Sequence, residues 1–346
     1  MFDKAYTRRN LPPIRPDWLA RRHEEVLDPG QIIIDPHHHL WDVTDSRYLL
    51  PDLMEDLRSG HDVRATVHIE CKSSYRDDGP EEFRPIGETE FVARCARERE
   101  AESGGRVRVC AGIVGYADLS LGSSVRHVLQ AHLQAGNGLF RGIRVRAAWH
   151  ADPSFQGPAD GPPSDLLQQP RFREGFAQLA DLGLSCDMWV FHTQLSQVTA
   201  LAAAFPGTRI VLNHAGGPLG IGPYEGKRDQ VFGELASDIS MLGRSENVSV
   251  KLGGLAMPRI GFRFDALETP PGSAELASAW QPYVDTCLSA FGPRRCMFES
   301  NFPVDKGMAS YRVLWNAFKR MAEGLTPAER DAVFYKTAAD FYRIEI

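Results

Sequence analysis

The sequence predicts an α/β protein whose strands close into a single (β/α)8 TIM barrel. Eight short apolar runs follow one another along the chain, and segments with apolar residues at helical spacing lie between them. Repeated strand–helix units imply parallel strands with right-handed crossovers, and eight strands close such a barrel. At 346 residues the chain is long enough for a barrel of about 250 residues with extensions. A doubly wound open sheet is the alternative fold.

The predicted strands begin after a polar N-terminal arm, residues 1–30, and belong to one barrel domain, residues 31–346. They cover residues 31–39, 64–71, 107–114, 140–145, 184–192, 209–214, 248–252 and 295–299. Between the third and fourth strands, Val125, Val128 and Leu129 fall on one face of a predicted helix. The open sheet is disfavoured because no glycine-rich phosphate-binding turn follows the first strand.

Three longer inserts, residues 42–62, 150–169 and 254–272, follow the first, fourth and seventh predicted strands. Segments that follow barrel strands lie at the C-terminal face, where barrel enzymes form their active sites. We therefore expect these inserts to form loops that wall a substrate pocket.

The composition excludes several classes of partner. A net charge of −6, without a run rich in Lys and Arg, argues against binding to nucleic acid. No stretch reaches about 18 uninterrupted apolar residues, and the first thirty residues lack a signal-peptide pattern, so we expect a cytoplasmic protein with no membrane span. The six cysteines show no Cys-x-x-Cys spacing, and Cys71 is predicted to fill the core rather than to react.

Four histidines form the strongest functional signal. His37 and His39 close the first strand and share a face, because successive side chains of a strand point to opposite sides; His38 faces the other way. His192 and His214 occupy the ends of the fifth and sixth predicted strands. Since the C-terminal strand ends of a barrel converge, the four imidazoles are predicted to meet at one mouth. Such a cluster suits a metal ion or a developing charge.

Five segments together carry a family resemblance. They are residues 34–42 (Ile-Asp-Pro-His-His-His-Leu-Trp-Asp), 190–192 (Val-Phe-His), 212–216 (Leu-Asn-His-Ala-Gly), 250–254 (Val-Lys-Leu-Gly-Gly) and 297–305 (Met-Phe-Glu-Ser-Asn-Phe-Pro-Val-Asp). With these segments the chain resembles the amidohydrolase superfamily over residues 32–341. Within it, the chain is similar to the amidohydrolase-related metal-dependent hydrolases, which include 2-pyrone-4,6-dicarboxylate lactonases and sugar lactonases. The resemblance implies a barrel fold and hydrolysis of a C–O or C–N bond in a small molecule.

The resemblance also implies roles for individual residues. His37, His39 and His192 match the ligands of one divalent metal ion, zinc or manganese, and His214 matches a residue that contacts substrate or water. The family pattern has an aspartate as general base on the eighth strand, where this chain carries Asn301. An amide cannot accept a proton or add negative charge to a metal site.

A different group is therefore needed as the base. Glu299 is two residues before Asn301 and shares its face if the strand continues, so it is one candidate for the missing carboxylate. Asp305, further along the loop, is a second candidate carboxylate, and a histidine is a third type of base. Alternatively, Glu299 pairs with a cation inside the barrel such as Lys251.

Further charged side chains are predicted at the same mouth. Arg144 and Arg146 are two residues apart after the fourth strand, and guanidinium groups bind carboxylates through two parallel hydrogen bonds. Lys251 on the seventh strand is another candidate for binding an anionic substrate. Glu70 and Tyr75, at and after the end of the second strand, are candidates for binding hydroxyl groups or, for Glu70, a metal ion. The expected partner is a small anionic molecule.

These features predict a hydrolase of a small carboxylated lactone or a related ester-like bond. Water is activated either by the metal ion or by Glu299 or a histidine acting as base. One alternative is a metal-dependent decarboxylase of the same superfamily, and another is a barrel that only binds a small molecule because Asn301 has replaced the base. The long N-terminal arm is compatible with packing on a second copy of the chain, so a homo-oligomer is also considered.

Overall fold

Eight parallel strands form one sheet in which each strand pairs with the next along the chain. The computed structural model describes residues 13–43, 46–101, 107–152, 155 and 161–346. The strands are β1 Ile32–His38, β2 Asp62–Ile69, β3 Arg108–Gly115, β4 Phe140–Arg146, β5 Ser185–Trp189, β6 Ile210–Leu212, β7 Val248–Leu252 and β8 Cys296–Phe298. Every predicted strand is present, and β5 differs most, since it ends three residues before its predicted end.

The sheet closes between β1 and the segment that follows β8. The Asn301 N–H donates to the carbonyl of His37 at 2.9 Å, and the His39 N–H donates to the carbonyl of Phe302 at 2.8 Å. These bonds join the first and last strands at the end that carries the histidines. The predicted (β/α)8 barrel is confirmed.

Helices cover the outside of the barrel. Those that the structure describes are α1 Pro16–Leu19, α2 Leu50–Leu57, α3 Ile86–Ala101, α4 Val125–Ala135, α5 Pro170–Asp181, α6 Leu195–Ala204, α7 Arg228–Leu242, α8 Ser273–Phe291, α9 Tyr311–Met321, α10 Pro327–Asp331 and α11 Thr337–Tyr342. A π-helical turn, Ala332–Lys336, separates the last two. In α4, Val125, Val128 and Leu129 are buried in the core, as their spacing predicts.

The C-terminal segment closes the opposite end of the barrel. Arg108, the first residue of β3, and Arg209, just before β6, donate to the carbonyls of Glu345 and Asp340 at 2.6 and 3.0 Å. Phe341, Tyr342 and Ile344 pack with side chains from five of the strands, namely Ile34, Ala65, Val67, Ile69, Ala111, Val114, Val211 and Met297. This packing leaves the face at the C-terminal strand ends for a functional site.

The N-terminal arm lies against its own barrel over residues 13–30. Trp18 Nε1 donates to the carbonyls of Leu267 and Glu268 at 3.1 Å each. Lys319 of α9 donates to the carbonyls of Leu27 and Asp28 at 2.8 Å each. Residues 1–12 of the predicted arm lie outside the described residues.

The three predicted inserts follow β1, β4 and β7. The first forms a two-stranded hairpin, Trp41–Val43 with Ser46–Tyr48, and then α2. The third contains two 3-10 turns, Pro258–Ile260 and Phe264–Ala266. In the second, residues 153–154 and 156–160 lie outside the described residues. Across the described part of the chain, no helix combines the length and apolar character needed to cross a membrane.

Candidate active site

One carboxylate joins two of the four predicted histidines. Glu299, directly after β8, has Oε2 at 2.7 Å from His37 Nδ1 and Oε1 at 2.6 Å from His214 Nδ1. Its Oε1 also accepts the backbone N–H of His214 at 3.1 Å. Because a carboxylate only accepts hydrogen bonds, we assign the ring proton of His214 to Nδ1, which leaves a lone pair on its Nε2. The contact of His37 Nδ1 with Oε2 is short but is not aligned as a hydrogen bond.

Two glycines of the segment after β7 make room for this pair. A Cβ atom on Gly254, whose φ is +65°, would lie 2.4 Å from His214 Nδ1. A Cβ atom on Gly253 would lie 2.3 Å from the carbonyl oxygen of Glu299. A side chain at either position would therefore displace the carboxylate or the ring, which explains the glycine pair in the Val-Lys-Leu-Gly-Gly segment.

Burial keeps these histidines in their neutral form. Burial lowers the pKa of His37 well below its ordinary value, and the positive charge of Lys251 lowers it further. Burial also lowers the pKa of His214, although the negative charge of Glu299 acts in the opposite direction. The Nε2 atom of His37 is buried and has no hydrogen-bond partner. A neutral ring with its lone pair on Nε2 can accept a proton or bind a cation.

His39 lies beside His37 on the same face. Its Nδ1 is 2.7 Å from the carbonyl of Ile69, so Nδ1 carries the proton and Nε2 the lone pair. The two imidazole rings are 4.9 Å apart, and the ring of Trp41 stacks on His39 at 5.7 Å. His38 points away, with Nε2 at 2.9 Å from Thr66 Oγ1.

Lys251 belongs to a buried network beneath the histidines. Its amine donates to Asp187 Oδ2 at 2.6 Å and to the carbonyl of Pro36 at 2.8 Å, and lies 3.2 Å from His37 Nδ1. The Tyr342 hydroxyl donates to the same Asp187 carboxylate at 2.9 Å. Lys251 is fully buried, so the structure gives no support to its predicted contact with substrate. It pairs with Asp187, not with Glu299, which was the alternative partner considered from the sequence.

The two predicted arginines share one carboxylate. Arg144 Nε and Arg146 Nε lie 2.9 and 3.1 Å from Glu70 Oε1, and Arg144 Nη2 donates to the Glu70 carbonyl at 2.5 Å. Burial alone would raise the pKa of Glu70, but Arg146 and Arg144 together lower it. Tyr75 is close by: burial raises the pKa of its phenol well above the ordinary value, and the charge of Glu70 adds to the effect. Arg144, Arg146 and Glu70 form a charged patch, in which two guanidinium groups and one carboxylate leave a net positive charge.

Ring contacts join His37 to His39 and to His214, whereas the ring of His192 contacts Tyr224. His192 lies in a 3-10 turn, His192–Gln194, three residues beyond the end of β5, and its ring contacts Tyr224 at 5.2 Å. Neither of its ring nitrogens has a hydrogen-bond partner. Burial lowers its pKa to about 4. Its role as a metal ligand stays a prediction.

Comparison with known proteins decides the family. A family model described as amidohydrolase matches residues 34–344, nearly the whole barrel. The chain belongs to the amidohydrolase family. This confirms the family predicted from the five motifs, and with it a hydrolase at the level of the family.

Individual relatives of this amidohydrolase cover nearly the whole chain. The uncharacterized protein y4mH of Sinorhizobium fredii is 32% identical over 335 residues, which are 90% of this chain and 98% of that protein. An L-fucono-1,5-lactonase of Burkholderia multivorans is 27% identical over 91% of this chain and 97% of its own. The crystal structure of a Burkholderia multivorans amidohydrolase with bound zinc is 24% identical, with a TM-score of 0.70 over 91% of this chain and 100% of that one.

The histidine cluster of this amidohydrolase has atoms that fit a divalent cation. His37, His214 and Glu299 have ligand-type atoms within 4.8 Å of one another. The Nδ1–Oε contacts of 2.6–2.7 Å are, however, shorter than the roughly 3.3 Å that separates two ligands of a tetrahedral zinc ion. The candidate ligand atoms beside this cluster are His37 Nε2, which is buried without a hydrogen-bond partner, and Nε2 of His39, whose ring lies 4.9 Å away. Among the described residues, the ligand atoms of the predicted metal set do not all lie within 4.8 Å of one another; that set is His37, His39 and His192.

Asn301, which replaces the aspartate of the family pattern, is in contact with Asp305, the second candidate carboxylate. Asn301 Nδ2 donates to Asp305 Oδ1 at 2.8 Å, because the chain turns back in a 3-10 turn, Asp305–Gly307. Asn301 has a φ of +53°, a region that asparagine tolerates better than most residues. Burial raises the pKa of Asp305 well above its ordinary value.

An Asn301→Asp variant is expected to be less stable than the wild type at pH 8 but nearly as stable at pH 4.5. Two carboxylates in contact cannot both ionise, so one keeps its proton and has a raised pKa in the folded state. A carboxyl group whose pKa is higher in the folded protein than in the unfolded chain makes the protein less stable as the pH rises. The loss begins near pH 4, which is about the pKa of the group in the unfolded chain. Urea unfolding at both pH values measures the difference in stability between the variant and the wild type. Equal stability of the two proteins at pH 8 would mean that the carboxylate at position 301 does not interact with Asp305.

The sequence did not reveal Asp187 or Tyr342 as parts of the site. Asp187 is a lone acidic residue in an otherwise apolar buried strand, and that pattern is a usable signal for a paired charge inside a barrel. Tyr342 comes from the C-terminal helix and gives no local signal, because its contact with Asp187 depends on how α11 closes the barrel.

Proposed function

We propose that this amidohydrolase hydrolyses a small carboxylated lactone, or a related ester-like bond, with His214 as the base that activates water. The observation that carries the proposal is the Glu299 carboxylate between Nδ1 of His37 and Nδ1 of His214. The similarity to L-fucono-1,5-lactonases supports the lactone class. A cytoplasmic location and a small-molecule partner are part of the same proposal.

The reaction needs one proton to move twice. His214 Nε2 accepts a proton from water while the water oxygen bonds to the lactone carbonyl carbon, and the carbonyl electron pair moves onto its oxygen. Glu299 stabilises the imidazolium that forms, as a buried carboxylate does in a catalytic triad. The oxyanion then collapses, the bond to the ring oxygen breaks, and His214 returns its proton to that oxygen. The product is a hydroxy acid, which releases a proton to the buffer at neutral pH.

His37 and His39 are the residues that would hold a divalent metal ion, zinc or manganese. Glu299 Oε2 and the Lys251 amine, 2.7 and 3.2 Å from His37 Nδ1, fix the position of the His37 ring. The zinc bound by the related Burkholderia multivorans structure supports zinc as the first candidate. Such an ion polarises the substrate carbonyl as a Lewis acid.

An anionic substrate is favoured by the charge balance at Glu70. One carboxylate contacts two guanidinium groups, those of Arg144 and Arg146, so the patch retains a net positive charge. The patch lies near the ends of β2 and β4, on the same barrel face as the histidines. A substrate carboxylate bound there is compatible with a lactone carbonyl at His214.

A panel of lactones tests both the reaction and the charge preference. Wild-type protein is expected to release acid from carboxylated lactones. Arg144→Lys keeps the charge but loses the planar fork, so we expect KM for carboxylated lactones to rise about 10- to 100-fold with kcat little changed. Neutral lactones are expected to show no such rise, and Arg126→Lys on the outer face of α4 is the matched control.

Three other outcomes would contradict the proposal. Carbon dioxide release from aromatic acids, without lactone turnover, would favour the decarboxylase. Thermal stabilisation by lactones without acid release would favour a barrel that only binds them. Equal effects of Arg144→Lys on neutral and carboxylated lactones would remove the assigned anion site.

A further inference from the structure

A second cluster of metal-binding side chains lies behind β2, on the side that faces α3. It consists of His68 on β2, Cys71 two residues beyond the end of β2, and Glu88 in the first turn of α3. All three side chains are buried, and their ligand-type atoms lie within 4.8 Å of one another. From the sequence alone, Cys71 was predicted to fill the core.

Glu88 is the centre of the cluster. Its Oε1 accepts the Cys71 N–H at 2.9 Å and lies 3.2 Å from Cys71 Sγ and 3.3 Å from His68 Nε2. Glu88 Oε2 and His68 Nδ1 are both buried without a hydrogen-bond partner. Buried polar atoms of native proteins are normally paired, so these two atoms indicate that the cluster lacks a partner.

The missing partner has the properties of a cation. Arg146 acts electrostatically on Glu88, but the Nε atom of Arg146 lies 3.1 Å from Glu70 Oε1, and Arg144 also contacts Glu70. Burial raises the pKa of Glu88 to about 8 and the negative charge of Glu70 raises it further, whereas the hydrogen bonds of Cys71 and the positive charge of Arg146 act in the opposite direction. A buried carboxylate without a cation partner either keeps a proton or binds a metal ion.

The distances suit a tetrahedral ion. Zinc ligands at about 2.0–2.3 Å are separated by roughly 3.3 Å between nitrogen and oxygen and roughly 3.6 Å between sulfur and oxygen. The observed nitrogen–oxygen separation of 3.3 Å matches this value, whereas the sulfur–oxygen separation of 3.2 Å is that of a hydrogen bond and must lengthen by about 0.4 Å when the ion binds. One nitrogen, one sulfur and one oxygen donor form a mixed set that zinc accepts.

We propose that His68, Cys71 and Glu88 form a second metal site, separate from the catalytic histidines, that binds Zn²⁺ through these three protein donors. Binding releases the thiol proton of Cys71 and the carboxyl proton of Glu88 to solvent and leaves a thiolate and a carboxylate on the metal. Glu70 immediately precedes Cys71, so the ion fixes the end of β2 that positions Glu70 against Arg144. The metal site does not rest on the reaction proposed above, although its loss would also disturb the contact between Glu70 and Arg144.

Cobalt substitution tests the site directly, because a thiolate bound to Co²⁺ gives a charge-transfer absorption in the near ultraviolet that imidazole and carboxylate ligands do not give. Protein stripped with a chelator and titrated with Co²⁺ is expected to show this band. Cys71→Ala is expected to lose the band and to bind one metal ion per chain fewer than the wild type. Cys95→Ala, a buried thiol on the same helix α3, is the matched control and is expected to keep both.

The outcomes separate this site from the catalytic one. The catalytic cluster contains no cysteine, so a metal bound only there gives no thiolate band. A folded wild-type protein without the band, or a band that persists in Cys71→Ala, would overturn the proposal. Circular dichroism establishes that each variant is folded, and Glu88→Gln, which keeps the thiol, is expected to lower the affinity for Co²⁺ by at least tenfold.

Discussion

Replacing Glu299 by glutamine is expected to lower kcat by about three to four orders of magnitude, with a much smaller change in KM. The glutamine amide has one acceptor oxygen and one NH₂ group, whereas Oε1 of the carboxylate accepts from the backbone N–H and Nδ1 of His214 and Oε2 lies 2.7 Å from His37 Nδ1. An NH₂ group in place of Oε1 would break both bonds to His214, so that ring would lose its Nδ1 proton or turn away. The imidazolium that forms on His214 during attack also loses its counter-charge.

Initial rates of acid release over a range of lactone concentrations measure this loss. Glu323→Gln, at an exposed position after α9, makes the same chemical change far from the site and is expected to keep wild-type rates. Thermal unfolding establishes that the Glu299 variant is folded. A kcat within tenfold of the wild type would remove Glu299 from the mechanism and leave the metal ion as the source of activated water.

The strands and the first histidine pair could be predicted because they depend on local periodicity. Alternation along β1 places His37 and His39 on one face and His38 on the other, whatever the rest of the chain does. His192 shows the limit of this reasoning. Val190 and Phe191 extend the apolar run that precedes it, but they are buried in a loop, and β5 ends at Trp189.

Contacts between distant strands were beyond the sequence. Glu299 was expected near the mouth, yet its bridge between two histidines depends on the distance between the ends of β6 and β8. Asp305 was expected further out on the loop, because a strand pattern does not foresee the 3-10 turn that returns its carboxylate to Asn301. Tertiary packing, rather than residue type, decides which of several candidate carboxylates meets which partner.

A Lys251→Met variant is expected to lose about 3–5 kcal/mol of unfolding free energy. The substitution preserves the length of the side chain but leaves the fully buried Asp187 carboxylate without its ammonium partner. Burial raises the pKa of Asp187, and Lys251 is the largest influence in the opposite direction. The Tyr342 hydroxyl, which also contacts Asp187, supplies a hydrogen bond but no positive charge. Urea unfolding measures the loss.

The cost arises from the unpaired charge and not from the missing amine, and two further variants separate these causes. Lys306→Met breaks a partly exposed pair with Asp56, where water replaces the ammonium, so its loss is expected to be smaller. Replacing both Lys251 by Met and Asp187 by Leu removes the buried charges together and is expected to recover much of the stability of the single variant. If the double variant were as unstable as Lys251→Met alone, the contribution of Lys251 to stability would come from its contacts with Pro36 and His37 rather than from its pairing with Asp187.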